Sequence, residues 1–389
     1  MTTFLWGAST SPHQTEGNNL NSDWWELENA EKSFLPERSG DALDSYHRYR
    51  EEMTLLAEAG LNAYRFGVEW ARIEPEQGRF SAAALAHYRR MIDTALELGL
   101  TPVVTLHHFS NPRWFAAGGG WGRSDAVALF TRYVERTSSI LGNVDWVCTI
   151  NEPNMVAVMD SVRRLLSGPD GFEALAGGLP APDERSGATM VEVHRAAVDA
   201  LRRHTDAAVG WTIAQQAFQS AGPEHGEMLR QTAWVWEDLY LEAARGDDFV
   251  GSQSYTSQLV GADGPIPHPP SPDNTITGWA YRPDALGLSV RHAWEVTGGV
   301  PVLVTENGIA TDDDQRRIDY TEAALGHLRD AMADGVDVRG YLHWSAVDNY
   351  EWGHWGPTFG LISVDRETFV RTPKPSLAWL GGVARRGRP

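Results

Sequence analysis

The chain has 389 residues, 42% hydrophobic and 22% charged, which supplies enough apolar side chain for a full core and excludes general disorder. Its 33 basic and 52 acidic residues leave a formal charge of −19, which opposes binding to nucleic-acid phosphates or to an anionic membrane surface. No apolar run reaches the ~18–20 residues of a membrane-spanning helix, and Cys148, alone in the chain, cannot form an internal disulfide.

Short, mostly apolar runs alternate with longer stretches of helical period. The first strand spans 4–9 (FLWGAS). It has no basic, apolar leader ahead of it, so no secretion signal and a cytoplasmic location are expected. A helix near 44–59 follows, stopped by Gly60. Then come a strand at 63–70 and a helix at 82–98 set between Ser81 and Gly99. The third pair is 101–108 and 124–141, set between Ser124 and Gly142. Next are 145–152 with 187–204, 208–215 with 225–245, 249–255 with 284–297, and 301–307 with 316–334, stopped by Gly335. The last pair is 338–345 with 375–385. Strands that are apolar throughout are buried on both faces, as in a parallel sheet.

Eight strands alternating with eight helices predict an α/β chain, a single (β/α)₈ TIM barrel over 1–389 with extended βα loops at its C-terminal face. The alternative, an open doubly wound sheet, would carry a G-x-G-x-x-G turn after its first strand, and this chain has none. The Gly/Pro-rich segments 166–187 and 259–283 follow strands 4 and 6 and are read as βα loops rather than linkers.

In a barrel the C-terminal ends of the strands converge on one pocket. Here they bring Gln14, Arg65, His107, His108, Asn151, Glu152, Tyr255, Glu306, Asn307 and Trp344. Two glutamates, each beside an Asn on strands 4 and 7, suit glycoside cleavage, in which one carboxyl protonates the leaving oxygen while the other attacks the anomeric carbon or activates water. Trp (16) outnumbers both Phe (12) and Tyr (11); flat indole walls with polar edges suit a sugar's C–H face and hydroxyls. Adjacent His107 and His108 point to opposite faces, and no H-E-x-x-H pair exists, so neither a metal nor any other cofactor is expected.

Five segments in order resemble family-1 glycoside hydrolases, the retaining β-glucosidase family with a (β/α)₈ barrel. They are FLWGASTSPHQTEG (4–17), YRFGVEWARIEP (64–75), TINEP (149–153), VTENG (304–308) and WSAVDNYEW (344–352), the last followed by FGLISVD and RTPKPS. The resemblance implies that Glu152 is the general acid/base and Glu306 the nucleophile of an exo-acting enzyme hydrolysing a terminal β-linked sugar. Arg65 and Tyr255 would support the nucleophile. Gln14, His108, Asn151, Tyr255, Trp344, Glu351 and Trp352 would bind the sugar, and Trp279 would wall the aglycone side. An ionised Glu351 would repel a sugar phosphate.

The chain departs from that pattern at Phe109, where the family has Trp, at Gln253, where it has Asn, and at Ser254, where it has an aromatic. These changes leave the gluco, galacto or fuco preference open. Phe109 and Gln253 also motivate one alternative, a transglycosylase or non-hydrolytic biosynthetic enzyme on the same barrel; a second alternative, a sugar-binding pseudoenzyme, has the presence of both carboxylates against it. The expected partner is a small-molecule β-glycoside, with no nucleic acid and no membrane. No residue pattern sets the oligomeric state.

Overall fold

Eight parallel strands close into a barrel in the order in which they occur along the chain: β1 (Leu5–Ser9), β2 (Ala63–Gly67), β3 (Thr101–Thr105), β4 (Trp146–Asn151), β5 (Ala208–Ala214), β6 (Val250–Gln253), β7 (Val302–Glu306) and β8 (Val338–Trp344). The structure is a computed structural model that describes residues 3–166 and 179–389. Around the barrel run α1 (Ser45–Ala59), α2 (Ala82–Glu97), α3 (Ala126–Thr137), α4 (Glu184–Arg202), α5 (Gly226–Ala233), α6 (Ala285–Thr297), α7 (Asp314–Ala333) and α8 (Pro375–Ala384). This is the (β/α)₈ barrel that the alternation predicts. Residues 167–178 of the predicted loop 166–187 lie outside the described residues.

Several boundaries differ from expectation. The run 63–70 leaves the ladder after Gly67 and begins a short helix at Trp70, and the run 101–108 leaves it after Thr105. Ser81 caps α2 through Ala84 N–H, but α3 is preceded by Asp125, without a side-chain cap, rather than by Ser124. Past Ala233, α5 continues through a π-helical turn, Trp234–Asp238, into Leu239–Ala243. Among the described residues, two longer helices are additional to the eightfold pattern, Asp23–Asn29 and, directly after Glu152, Pro153–Leu166, besides the short ones Pro12–Thr15, Trp70–Ile73 and Arg113–Ala117.

Side-chain alternation sorts the strand residues. Leu5, Ala63, Val103, Cys148, Leu303 and Leu342, together with Phe249, form a small apolar cluster. Their neighbours Trp6, Tyr64, Val104, Val147, Val304 and Tyr341 pack in the main core. The first set faces the barrel interior and the second faces the helices. Two residues past Ala63 on the same face comes Arg65, which donates to Thr105 Oγ1 (3.0 Å), itself two past Val103. Asn151 lies three residues past Cys148 and Glu306 three past Leu303, spacings that a regular strand would send to the opposite face. The ladder shifts register between Cys148 and Asn151, and again between Val304 and Glu306. These irregularities restore the inward direction, and both side chains meet Arg65.

The C-terminal segment braces the loop after β8. Lys374 pairs with Asp348 (2.7 Å), whose carboxylate also accepts from Gly360 N–H (2.8 Å). Arg371 reaches Glu52 of α1 at 2.7 Å, with both side chains fully buried. Removing one partner strands the other in a low-dielectric core. Arg371→Met is therefore expected to lose about 3–5 kcal/mol in chemical denaturation, and adding Glu52→Leu to recover much of that loss. Equal destabilisation by the single and the double variant would rule out the ion pair as the cause.

Candidate active site

A cavity of about 750 Å³ is lined by residues that follow the C-terminal ends of the strands, among them Gln14, His108, Phe109, Glu152, Gln253, Tyr255, Glu306, Trp344, Glu351 and Trp352. Arg65 and Asn151, both fully buried, sit behind that lining. Eight described residues other than glycine have a left-handed backbone, and three of them, Phe109 (φ +65°), Glu152 (+45°) and Trp352 (+48°), line this one cavity. Backbone strain of this kind gathers where the chain must aim a side chain.

Glu306 at the end of β7 is 4% exposed and held on both oxygens. Oε1 accepts from Arg65 Nη1 (2.6 Å) and Gln253 Nε2 (2.8 Å), and Oε2 accepts from the Tyr255 hydroxyl (2.6 Å). Burial pushes its pKa up, against the pull of the Arg65 charge and the Tyr255 hydrogen bond. Among the described residues Glu152 has no comparable donors. Its main-chain N–H donates to Thr212 O (2.8 Å). Burial, then the charge of Glu306 and more weakly that of Glu351, raise its pKa well above the usual carboxylate range, with Arg65 opposing. Glu306 is thus the first of the pair to ionise, and Glu152 keeps its proton.

Asn151 is fixed from three sides. Its Oδ1 accepts from Arg65, from Gln253 Nε2 (2.8 Å) and from Thr212 Oγ1 (3.0 Å), and its amide meets His108 Nε2 at 3.2 Å. Burial and the charge of Arg65 hold His108 well below its usual pKa, so it is neutral, and its Nδ1 has no partner. His107 turns the other way, to Asn111 Oδ1 (3.0 Å) and the ring of Trp121. Only one of the two histidines enters the cavity, as the sequence implies.

Gln14 Nε2 donates to Glu351 Oε2 (3.2 Å), and Trp344 Nε1 to Glu351 Oε1 (3.1 Å). Trp352 stacks on His13 (5.7 Å, 7°) and meets Phe109 edge to face (5.0 Å, 76°), so the phenyl ring that stands where the family has Trp packs against the Trp352 indole. Burial pushes Glu351 up to about 8, with the Trp344 bond pulling down and Glu306 pushing up. Burial thus works against the fixed negative charge expected at Glu351. Trp279 stands at the rim, 37% exposed and tilted on Tyr255 (5.5 Å).

The sequence reading did not place Trp24, Met155, Met159, Ile276 or Phe359 at the site, yet all line the cavity. Among the described residues, no group of three or more His, Cys, Asp or Glu is arranged for a metal, and no helix is long and apolar enough to cross a membrane.

Residues 1–237 and 247–388 match the model of glycosyl hydrolase family 1. The chain belongs to that family. It is a glycoside hydrolase, a retaining β-glycosidase, and its relatives cover nearly its whole length. "Beta-glucosidase A" of Thermotoga maritima is 29% identical over 447 aligned positions, covering 98% of this chain and 97% of that one. More aligned positions than this chain has residues means that the relative carries insertions. The apo structure of a β-glucosidase numbered 1317 superposes with a TM-score of 0.91 at 41% identity, covering 99% of both chains. A β-glycosidase from Pyrococcus horikoshii gives 0.89 at 32% identity, covering 99% of this chain and 95% of that one.

Proposed function

We propose that this glycosidase, acting as one catalytic domain, removes a terminal β-linked, glucose-like sugar with Glu306 as nucleophile and Glu152 as acid/base. The observation that carries this reading is the asymmetry of the two carboxyls. Glu306 is held by Arg65, Gln253 and Tyr255, while Glu152 lacks such donors among the described residues and burial and the charge of Glu306 favour its protonated form. Glu152 gives its proton to the leaving oxygen as Glu306 forms the covalent glycosyl–enzyme bond. Esterification removes the charge of Glu306, one of the two main causes holding Glu152 up. Glu152 then becomes more acidic and takes a proton from the incoming water. Asn151, with its carbonyl saturated, keeps an N–H for the sugar's 2-hydroxyl, and His108 Nδ1 is an open hydrogen-bonding position.

The test is stereochemical. NMR of the first-formed sugar is expected to show the β-anomer, and a 2-fluoro activated glycoside should label Glu306 in a peptide digest. A first-formed α-anomer would sink the assignment. The pH profile of kcat/KM follows from the same pair. Activity should rise as Glu306 loses its proton and fall as Glu152 loses its own, with the alkaline limb above the ordinary carboxylate range. A profile flat from pH 5 to 9 would contradict it.

A further inference from the structure

We infer that the cavity takes β-glycosides whose leaving group is an apolar, ring-bearing alcohol or phenol rather than a second sugar. This rests on the reading above, because the leaving group is the part that departs past Glu152. The helix Pro153–Leu166 begins at the residue after Glu152. Met155 and Met159 stand three and seven residues on, about 4.5 and 10.5 Å along the helix axis and on one face. Both line the cavity and are half-buried, while Val156, Ala157 and Val158 between them are buried on the core side. Across from them the segment after β6 contributes Ile276, 45% exposed, and Trp279, beside buried Phe359. Large apolar side chains left this open at a cavity wall are uncovered until something apolar lies on them.

Polar groups on those walls are already engaged. The Thr277 hydroxyl is bonded to Thr275 (2.7 Å), and that of Thr256 donates to Ala280 O (2.9 Å). Gln215 gives its amide to Ser289 O (3.1 Å) and takes Ser252 Oγ on its carbonyl (2.6 Å). A second pyranose laid against the Met155, Met159, Ile276 and Trp279 walls would set hydroxyls on apolar side chains, at a desolvation cost for each one unpaired. Beside Gln215 the side chain of Gln216 also reaches the cavity, and Glu37 and His354 add polar lining from the segments after β1 and β8. The volume of about 750 Å³ exceeds what one sugar ring fills and so leaves room for a leaving group of either kind; the lining decides between them. Thioether walls adapt their shape and favour contact with aromatic rings.

The experiment uses whichever glycone the enzyme turns over fastest as its p-nitrophenyl β-glycoside. With that glycone, kcat/KM is compared for the 2-phenylethyl β-glycoside and for the β-1,4-linked disaccharide. A sugar hydroxyl is the better leaving group of the two, so a preference for phenylethyl reports binding of the departing group and not bond strength. The ratio is expected to favour the phenylethyl glycoside by about tenfold or more, and to fall several-fold in Met159→Gln. The order of affinities, read by tryptophan fluorescence on Glu306→Gln, should agree. A disaccharide that matches or beats the phenylethyl glycoside overturns the inference, as does a ratio unmoved by both Met155→Gln and Met159→Gln. Absence of hydrolysis for every p-nitrophenyl glycoside would instead overturn the catalytic assignment beneath it.

Discussion

Glu306→Gln is expected to lower kcat by about 10⁴-fold or more on every glycoside, with the far-UV CD spectrum unchanged. The amide is almost the same size as the carboxylate and keeps one oxygen to accept from Arg65 or Tyr255, so packing survives. What goes is the lone pair on a charged oxygen that attacks the anomeric carbon. A second effect follows from the same charge. Glu306 is among the causes that raise Glu152, so neutralising it should lower the pKa of Glu152, measurable by carbon-13 NMR of labelled glutamate. Glu306→Ala makes room for a substitute nucleophile. Azide entering there performs a single displacement, so the expected product is the α-glycosyl azide. Activity within tenfold of wild type in Glu306→Gln would remove Glu306 from the mechanism.

The barrel was readable because a βα unit repeats, and its strands, covered on both faces, are apolar without alternation. The functional ends were readable only in part. Simple parity places Asn151 opposite Cys148 and Glu306 opposite Leu303, and it takes the two register shifts to turn them inward, a property of the neighbouring strands that no local pattern encodes. Met155 and Met159 were missed because one helix was allotted between strands 4 and 5, while the chain builds two, Pro153–Leu166 and Glu184–Arg202. A spacing of four residues after N-E-P was the available signal. Trp24 had one too, since Ser22 accepts from Trp25 N–H and acidic Asp23 and Glu26 occupy the first turn, the marks of a helix start. The charge state of Glu351 was not readable at all. It depends on the balance between its burial, which raises its pKa, and the bonds from Trp344 and Gln14, which lower it, and that balance is set by the fold.

Glu152→Ala separates the two steps of the reaction and is expected to act unevenly. An alkyl or sugar leaving group needs its proton, so kcat/KM for such substrates should fall by about 10²–10⁴-fold. A dinitrophenyl leaving group departs as a stable anion, so formation of the glycosyl–enzyme should be little affected. Its breakdown then becomes slow, because no base remains to activate water, and a burst of phenolate followed by a low steady rate should appear. Azide needs no base. It should raise the steady rate on the dinitrophenyl substrate and yield the β-glycosyl azide, the product of two inversions and the mirror of the outcome at Glu306→Ala. Truncation also removes the group assigned to the alkaline limb, so that limb should vanish from the pH profile while the acid limb, set by Glu306, stays. Equal losses on sugar and dinitrophenyl leaving groups, with no response to azide, would mean that another group donates the proton and that the raised pKa of Glu152 has a structural origin only.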